Sequence, residues 1–169
     1  MVDTATKKVL VTGNMGYIGP ALVEEIRQQN PEYCIIGLDM GYFAHCLTAS
    51  PILPELNVDQ QIFADVRSIE PKWLDGVDAV IHLAAVSNDP MGNTFENPTL
   101  DINGQASIDI AHMAKEHGVR RFVYASSCSM YGAAANKAMT EDMPLNPLTA
   151  YARSKVRAEK YLASLADDD

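Results

Sequence analysis

The sequence has few cysteines, few basic residues and no long apolar run. Its 169 residues include three cysteines, Cys34, Cys46 and Cys128, and none of them belongs to a CxxC pair. An odd number of scattered cysteines argues against a disulfide framework and against a zinc site of the usual spacing, so we expect no metal. Free thiols are typical of reducing compartments, which favours a cytoplasmic protein.

Basic residues are outnumbered by acidic ones. The chain has 13 lysines and arginines and 22 aspartates and glutamates, which gives a formal net charge of −9. Binding to nucleic acid or to an anionic membrane needs a basic surface, so both are disfavoured. A single small anion can still bind, because the N-terminus of a helix is a local positive site.

Long apolar stretches are also lacking. No run approaches the roughly 18 residues that indicate a membrane helix. The first apolar run is broken at Gly13, which makes it too short for the core of a signal peptide. The length and the 47% apolar content suit one domain with a core of its own.

The sequence does contain a β-branched run, residues 9–12, that leads into Gly13, Gly16 and Gly19. Glycine allows unusual backbone angles and lets another group approach the backbone closely. The helix that follows would point unpaired N–H groups at a ligand such as a pyrophosphate. This spacing differs from the commonest dinucleotide fingerprint, and no P-loop Lys-Ser/Thr pair follows. A glycine-rich turn without a ligand is an equal alternative on this motif alone.

Strand and helix patterns alternate along the chain. Strands are predicted at the apolar run before Gly13 and at residues 33–38, 61–64, 78–85 and 121–127, and helices at 19–30, 97–117 and 148–165. Residues 41–60 suggest an irregular connection with one short helix. Such alternation predicts an α/β fold, a doubly wound parallel sheet of Rossmann type, with any ligand at the carboxyl ends of the strands.

Two aspartates follow predicted strands. Asp39 lies about 20 residues after Gly19, the spacing at which a dinucleotide fold places the acid that binds the adenosine ribose. This carboxylate would repel a 2′-phosphate, so NAD is favoured over NADP. Asp65 could bind an adenine amino group, or it could cap a helix. An ordinary loop aspartate is the alternative for Asp39.

Other polar residues lie in or after the fourth predicted strand. His82 is inside that strand, so we expect a buried, hydrogen-bonded histidine and not a catalytic base. The small residues at 84–85 allow a ligand to approach the backbone, and polar residues 87–89 follow at the strand end. Asn103 interrupts an apolar helical pattern, either as an exposed residue or through a structural hydrogen bond in the site.

Tyr151 and Lys155 are four residues apart on the last predicted helix, so they share one face. A cation beside a phenol lowers the phenol pKa, which allows proton transfer near neutral pH. Ser127, just beyond the fifth strand, can hydrogen-bond a reacting oxygen. The alternatives are an exposed aromatic–cation pair and a serine that is bonded to its own backbone.

In combination these motifs resemble the extended short-chain dehydrogenase/reductases, and most closely the NAD-dependent sugar-nucleotide epimerase/dehydratases. The resemblance spans about residues 8–165. The motifs that carry it are Gly13-x-x-Gly16-x-x-Gly19, Asp39, Asp65-x-Arg67, His82-x-Ala84-Ala85, Ser126-Ser127-x-x-Met130-Tyr131-Gly132 and Tyr151-x-x-x-Lys155.

The resemblance implies NAD as cofactor and a nucleotide-linked sugar as substrate, oxidised to a transient keto sugar and then reduced again. It implies Tyr151 as the acid/base, Lys155 on the nicotinamide ribose and Ser127 on the substrate oxygen. It also places Asp39 on the adenosine ribose and Asp65 by the adenine. The cofactor-binding residues that it implies are Gly13, Met15, Gly16, Tyr17, Ile18, Gly19, Asp39, Asp65, Val66, Leu83, Ala84, Ala85, Asn103, Tyr151 and Lys155.

The sequence departs from the family pattern beside Ser127. Family dehydratases carry an acidic pair where this chain has Cys128 and Ser129. An epimerase or a simple oxidoreductase is therefore favoured over a 4,6-dehydratase. We expect Cys128 to be a small packed residue, with a reactive thiol as the alternative.

The chain is also shorter than the family pattern, whose members are about twice as long. We therefore expect one NAD-binding domain over residues 1–169, with the last strands and the substrate-binding part outside this chain. Such a polypeptide should bind NAD weakly and turn over little. Exposed sheet edges predict self-association, with a homodimer as one form. The alternative functions are a non-catalytic NAD-binding or regulatory module and, disfavoured by Asp39, a flavin or NADP protein.

Overall fold

The computed structural model describes residues 6–43, 52–87, 89–132 and 138–167. Cys46, Asn88 and much of the predicted irregular connection lie outside these ranges. The chain divides into two compact units. The sheet unit comprises Met1–Ala84 and Met113–Tyr124, and the helical unit comprises Ala85–His112 and Ala125–Asp169.

The sheet unit contains five parallel strands. They are β1 Lys8–Thr12, β2 Cys34–Asp39, β3 Gln60–Phe63, β4 Ala79–His82 and β5 Arg121–Tyr124. The strand order is β3-β2-β1-β4-β5, so β1 is central and pairs with both β2 and β4. The predicted α/β fold with a parallel sheet of Rossmann type is confirmed.

Helix α1 follows the glycine stretch and spans Gly19–Gln29. Its second residue is Pro20, which is tolerated there because the first-turn N–H groups have no partner within the helix. Val23 is buried against Val9, Val11 and Ile35 of the central strands. The sequence predicts this helix from Ile18, Leu22 and Ile26, which are spaced by four. Leu22 and Ile26 pack against this cluster, whereas Ile18 is 57% exposed.

Between β2 and β4, the described residues outside β3 form helical structure only as short 3-10 helices. These are Pro54–Leu56, Val66–Ser68 and Pro71–Leu74. Two of the three begin with proline, which can start a helical turn but cannot donate a backbone hydrogen bond. The described part of the 41–60 connection, which the sequence predicts as irregular with one short helix, contains the 3-10 helix Pro54–Leu56.

Strands β4 and β5 end three residues earlier than predicted. Gly13 turns the chain with a φ of 75° at the end of β1. The last residue of β1, Thr12, pairs with His82, which in turn pairs with Tyr124. The end of β1 thus sets the end of its neighbour β4, and β4 sets the end of β5, although the apolar sequence continues beyond both.

The helical unit begins with residues that the sequence did not predict as helical. Its helices are α2 Asp89–Thr94, α3 Glu96–Thr99, a π-helical segment Leu100–Ala106, α4 Ser107–Glu116, which continues into the sheet unit, and α5 Ala150–Leu165. The long helix expected at 97–117 is helical throughout but contains this π segment. Within the described ranges, no helix is long and apolar enough to cross a membrane.

Candidate functional site

The glycine turn of the sheet unit is packed too closely for larger residues. A Cβ on Gly13 would lie 2.6 Å from the backbone nitrogen of Ala84, and one on Gly19 would collide with the Asn14 carbonyl. The N–H of Gly13 donates to the Leu38 carbonyl at 2.8 Å. These contacts hold the turn against the carboxyl ends of β2 and β4.

The start of α1 fits the requirements of an anion site. Its N-cap residue, Ile18, gives no side-chain cap, and the first turn carries no acidic residue. Tyr17 and Ile18 are 87% and 57% exposed, whereas Met15 is buried. Since no side chain caps these N–H groups, the phosphates of a dinucleotide can approach them.

Asp39 lies beside this turn, at the end of β2. One carboxylate oxygen accepts a hydrogen bond from the N–H of Met15 at 3.1 Å, and the other accepts from Gly41 at 2.8 Å. A carboxylate has about four acceptor positions, so both oxygens can also accept from a ribose hydroxyl. The structure thus brings together Asp39 and the glycine turn, as the sequence predicts.

Asp65 caps the 3-10 helix that follows β3. Its carboxylate accepts from the N–H of Arg67 at 2.9 Å and from the Arg67 guanidinium. The hydrogen bonds from Arg67 lower the pKa of Asp65. The capping alternative is therefore present in the structure. Contact of Asp65 and the neighbouring Val66, which is buried, with adenine stays a prediction.

An amide pair supports the glycine turn, and sequence reasoning missed it. Asn14 is fully buried, and its Nδ2 donates to Oε1 of Gln61 on β3 at 2.7 Å. The pair fills the space beside Gly37 on β2, where a Cβ would lie 2.6 Å from that Gln61 oxygen. Two sequence signals could have indicated this pair: the polar residue inside the glycine motif and the polar residue in the predicted strand 61–64.

His82 is buried, as expected. It is 1% exposed, and its Nδ1 shares a 2.6 Å hydrogen bond with Thr12 Oγ1. Its ring is near the rings of Phe122 and Tyr124, with centroid distances of 6.0 and 5.9 Å. The histidine therefore joins the ends of β1, β4 and β5, just before Leu83.

In the helical unit, Lys155 is held in a nearly closed environment. It is 3% exposed, and its Nζ donates to the Ala125 carbonyl at 2.6 Å. The ammonium lies 5.6 Å from the ring centroid of Tyr151. Burial lowers the pKa of Lys155 to about 8. The alternative of an exposed aromatic–cation pair is wrong for Lys155.

Ser127 caps the 3-10 helix Cys128–Tyr131. Its Oγ accepts from the N–H of Ser129 at 3.2 Å and donates to the Ser129 hydroxyl at 3.0 Å. The alternative of a serine bonded to nearby backbone is thus observed. Cys128 is exposed, so the expectation of a packed residue is wrong, because the capped turn lies at the surface.

Asn103 is fully buried in the π segment, so the alternative of an exposed residue is wrong. Its Oδ1 accepts from the N–H of Val86 at 2.8 Å, and its Nδ2 donates to the Val86 carbonyl at 2.9 Å. The side chain therefore clamps the segment that follows Ala85. A direct contact between Asn103 and a cofactor stays a prediction.

The geometry thus forms two groups of predicted residues, one in each unit. The sheet unit joins the glycine turn to Asp39 and Ala84. The helical unit joins Tyr151 and Lys155 to Ala125, two residues before Ser127. Among the described residues, no three histidine, cysteine or acidic side chains are grouped to hold a metal.

A Rossmann-type sheet with this glycine turn defines the class of dinucleotide-dependent proteins. Within that class, the chain matches the model of the NAD dependent epimerase/dehydratase family over residues 9–169. The chain belongs to this family, and the resemblance stated from the motifs is confirmed. The expected NAD dependence is confirmed for the family.

Known relatives agree with this assignment. An uncharacterized UDP-glucose epimerase of Bacillus subtilis, YtcB, is 32% identical over 164 residues, covering 90% of this chain and 50% of its own. The structure of the NAD-dependent NDP-hexosamine 5,6-dehydratase TunA has a TM-score of 0.81 at 27% identity, covering 95% of this chain and 50% of its own. MoeE5, solved with UDP-glucose and NAD, has a TM-score of 0.77 at 30% identity, covering 93% and 48%. The chain spans about half the length of these relatives.

Proposed function

We propose that the whole protein is an NAD-dependent epimerase that acts on a nucleotide-linked sugar through a transient keto intermediate. The observation that carries this proposal is the buried Lys155 beside Tyr151, with its ammonium fixed on the Ala125 carbonyl. A protein that only binds NAD has no need of this arrangement. Cys128 and Ser129 stand where the family dehydratases carry an acidic pair, so this chain lacks the acidic groups that elimination requires there.

The sheet unit contains the residues that would hold the cofactor. The glycine turn and the uncapped start of α1 suit the pyrophosphate, and Asp39 suits the adenosine ribose. A bound NAD would supply the hydride acceptor for oxidation of the sugar carbon and the hydride donor for its reduction. The Asp39 carboxylate favours NAD over NADP, because it repels a 2′-phosphate.

The helical unit contains the residues that would move the proton. Tyr151 takes the proton of the reacting sugar hydroxyl as the carbonyl forms, and returns it when the carbonyl is reduced. The Lys155 ammonium, 5.6 Å from the centroid of the Tyr151 ring, puts a positive charge beside the phenol. The Ser127 hydroxyl, whose single proton points to the Ser129 hydroxyl in this structure, would turn that proton to the reacting oxygen when the substrate binds.

The test replaces one hydroxyl group. Tyr151→Phe should reduce turnover of UDP-glucose by about 100-fold or more, because general acid–base catalysis contributes at least that much. Its NAD affinity, measured by calorimetry, should stay within about threefold of wild type, since the ring is kept.

Tyr161→Phe is the matched control, because Tyr161 lies on the same helix and its hydroxyl contacts His112 at 3.0 Å. Equal turnover in the two variants, with NAD bound, would favour the non-catalytic NAD-binding module. An epimerase should return its hydride and accumulate no NADH, whereas a dehydrogenase should accumulate it. The cytoplasmic location and the homodimer stay predictions.

A further inference from the structure

Helices α2 and α3 meet the first turn of α5 at three points. Two of the contacting residues are three apart on α2 and share one face of it, and the third is the first residue of α3. They are Asp89, Gly92 and Glu96, and their partners are Thr149, Tyr151 and Arg153. The middle contact is with the tyrosine proposed as the acid/base.

The first contact fixes the cap of α5. The Thr149 hydroxyl donates to Oδ1 of Asp89 at 2.6 Å and accepts from the N–H of Ala152 at 3.0 Å. A hydroxyl has one proton, so its donation to Asp89 leaves a lone pair for Ala152. Because the acceptor is a carboxylate, this is one of the stronger kinds of hydrogen bond.

The second contact is a close approach of two backbones. A Cβ on Gly92 would lie 3.0 Å from Cβ of Tyr151 and 3.2 Å from its backbone nitrogen. Gly92 is buried, so nothing but the absence of a side chain makes room for the tyrosine. The third contact is the ion pair of Glu96 with Arg153 at 2.5 Å.

We propose that residues 89–99, which we call the brace, are a positioning device for Tyr151. The brace fixes the start of α5, and thereby the distance between the tyrosine ring and the Lys155 ammonium. Asp89 and Gly92 are its positioning residues. The effect of the brace on catalysis rests on the proposed function. Its effect on the position of Tyr151 can be measured without that function.

The test follows the ring of Tyr151 by NMR, with carbon-13 at the hydroxyl-bearing carbon of all seven tyrosines. Tyr151→Phe assigns the signal. Gly92→Ala and Asp89→Ala should each shift the Tyr151 signal and leave the others in place. Asp89→Asn keeps the acceptor oxygen and should restore the wild-type position, and Thr149→Ser should behave in the same way.

Gly104→Ala is the matched control. Gly104 also faces α5, but a Cβ there would lie at an ordinary 3.7 Å from Cβ of Ser154. It should leave the Tyr151 signal unchanged. An unmoved Tyr151 signal in folded Gly92→Ala and Asp89→Ala would overturn the brace. If Gly92→Ala does not fold, the test rests on the Tyr151 signal in Asp89→Ala and Asp89→Asn. A shift in the first and not in the second supports the brace, and the same position in both contradicts it.

Turnover gives a second readout. Asp89→Ala should lower kcat by about tenfold through misplacement of Tyr151, with unchanged KM and unchanged NAD affinity. Asp89→Asn should recover most of this loss. A fall in NAD affinity equal to the fall in kcat would contradict positioning. Failure of the full-length wild-type protein to bind NAD would refute the proposed function and leave the NMR result standing.

Discussion

Lys155 is a cation that folding removes from water. Burial lowers its pKa from 10.5 to about 8. Between these pH values the folded protein has released a proton that the unfolded chain still holds. Since the unfolded state then binds more protons, the free energy of unfolding should rise with pH through this window.

Lys155→Met removes this titration. Relative to this variant, the wild-type protein should gain about 3 kcal/mol of unfolding free energy as the pH rises from 8 to 10.5. Urea denaturation of both proteins over a pH series measures the difference between their free energies of unfolding. The contributions of all other titrating groups are common to both proteins and cancel in this difference. Parallel pH curves would show that the Lys155 pKa is not lowered by folding.

Gly13 and Gly118 provide a matched pair of residues, because both have a φ of 75°. A Cβ at Gly118 would meet nothing within 4 Å, whereas one at Gly13 would collide with Ala84. Gly118→Ala should cost about 1 kcal/mol of stability, the strain of a left-handed backbone alone. Gly13→Ala should cost about 3 kcal/mol or more, since overpacking adds to the strain.

Thermal or urea unfolding of the two glycine variants gives both numbers. Gly13→Ala should also weaken NAD binding, because the displaced turn carries the proposed pyrophosphate site. Gly118→Ala should leave NAD affinity unchanged. Equal stability losses in the two variants would mean that the turn can move away from Ala84 without cost.

At the scale of elements, the π segment depends on one buried amide. Asn103→Ala leaves the N–H and the carbonyl of Val86 without their partner. A fully buried group that loses its partner costs about 1 to 3 kcal/mol, and the two Val86 groups are part-buried, so we expect a loss of about 2 to 3 kcal/mol for both together. Asn97→Ala, at an exposed position of α3, should change stability by less than about 0.5 kcal/mol. Equal values in urea unfolding would contradict the clamp.

Elements with a strong local pattern could be predicted from the sequence. The β-branched run of β1, the apolar spacing of α1 and the register of Tyr151 and Lys155 all depend on neighbours in the chain. Helix α2 was missed because Pro90 and Gly92 are poor helix formers, and its contacts with α5 lie far along the chain.

Other features are set by distant residues and therefore escape sequence reasoning. The ends of β4 and β5 depend on where Thr12 ends the central strand. Burial of Asn103 depends on Val86, and the exposure of Cys128 depends on the cap that Ser127 forms. The order and type of the elements are determined by residues close together in the chain. Their boundaries and side-chain partners are determined by residues that meet only in the folded structure.

At the scale of the whole molecule, the sheet has two edges in the described part of the chain. At one edge Val123 of β5 is 55% exposed, and at the other Phe63 of β3 is 64% exposed. Unpaired backbone groups beside apolar side chains promote association of strands. The net charge of −9 opposes association, and its effect weakens in high salt.

Val123→Lys should therefore reduce self-association in high salt, because a lysine on an edge strand must be desolvated for pairing. Sedimentation velocity at several protein concentrations measures the change. Leu148→Lys is the matched control, since Leu148 is 60% exposed, precedes α5 and changes the net charge equally. An equal reduction of self-association in both variants would show that net charge, and not the β5 edge, controls association.

The amide pair beneath the glycine turn has a consequence for the order in which mutations can accumulate. Asn14 and Gln61 occupy the space that any side chain at position 37 would need. An alanine at Gly37 should therefore be harmful in this background and tolerated once Asn14 is glycine and Gln61 has been shortened. We therefore expect the effect of a mutation at any one of these three positions to depend on the residues at the other two, because all three share one space beside the glycine turn.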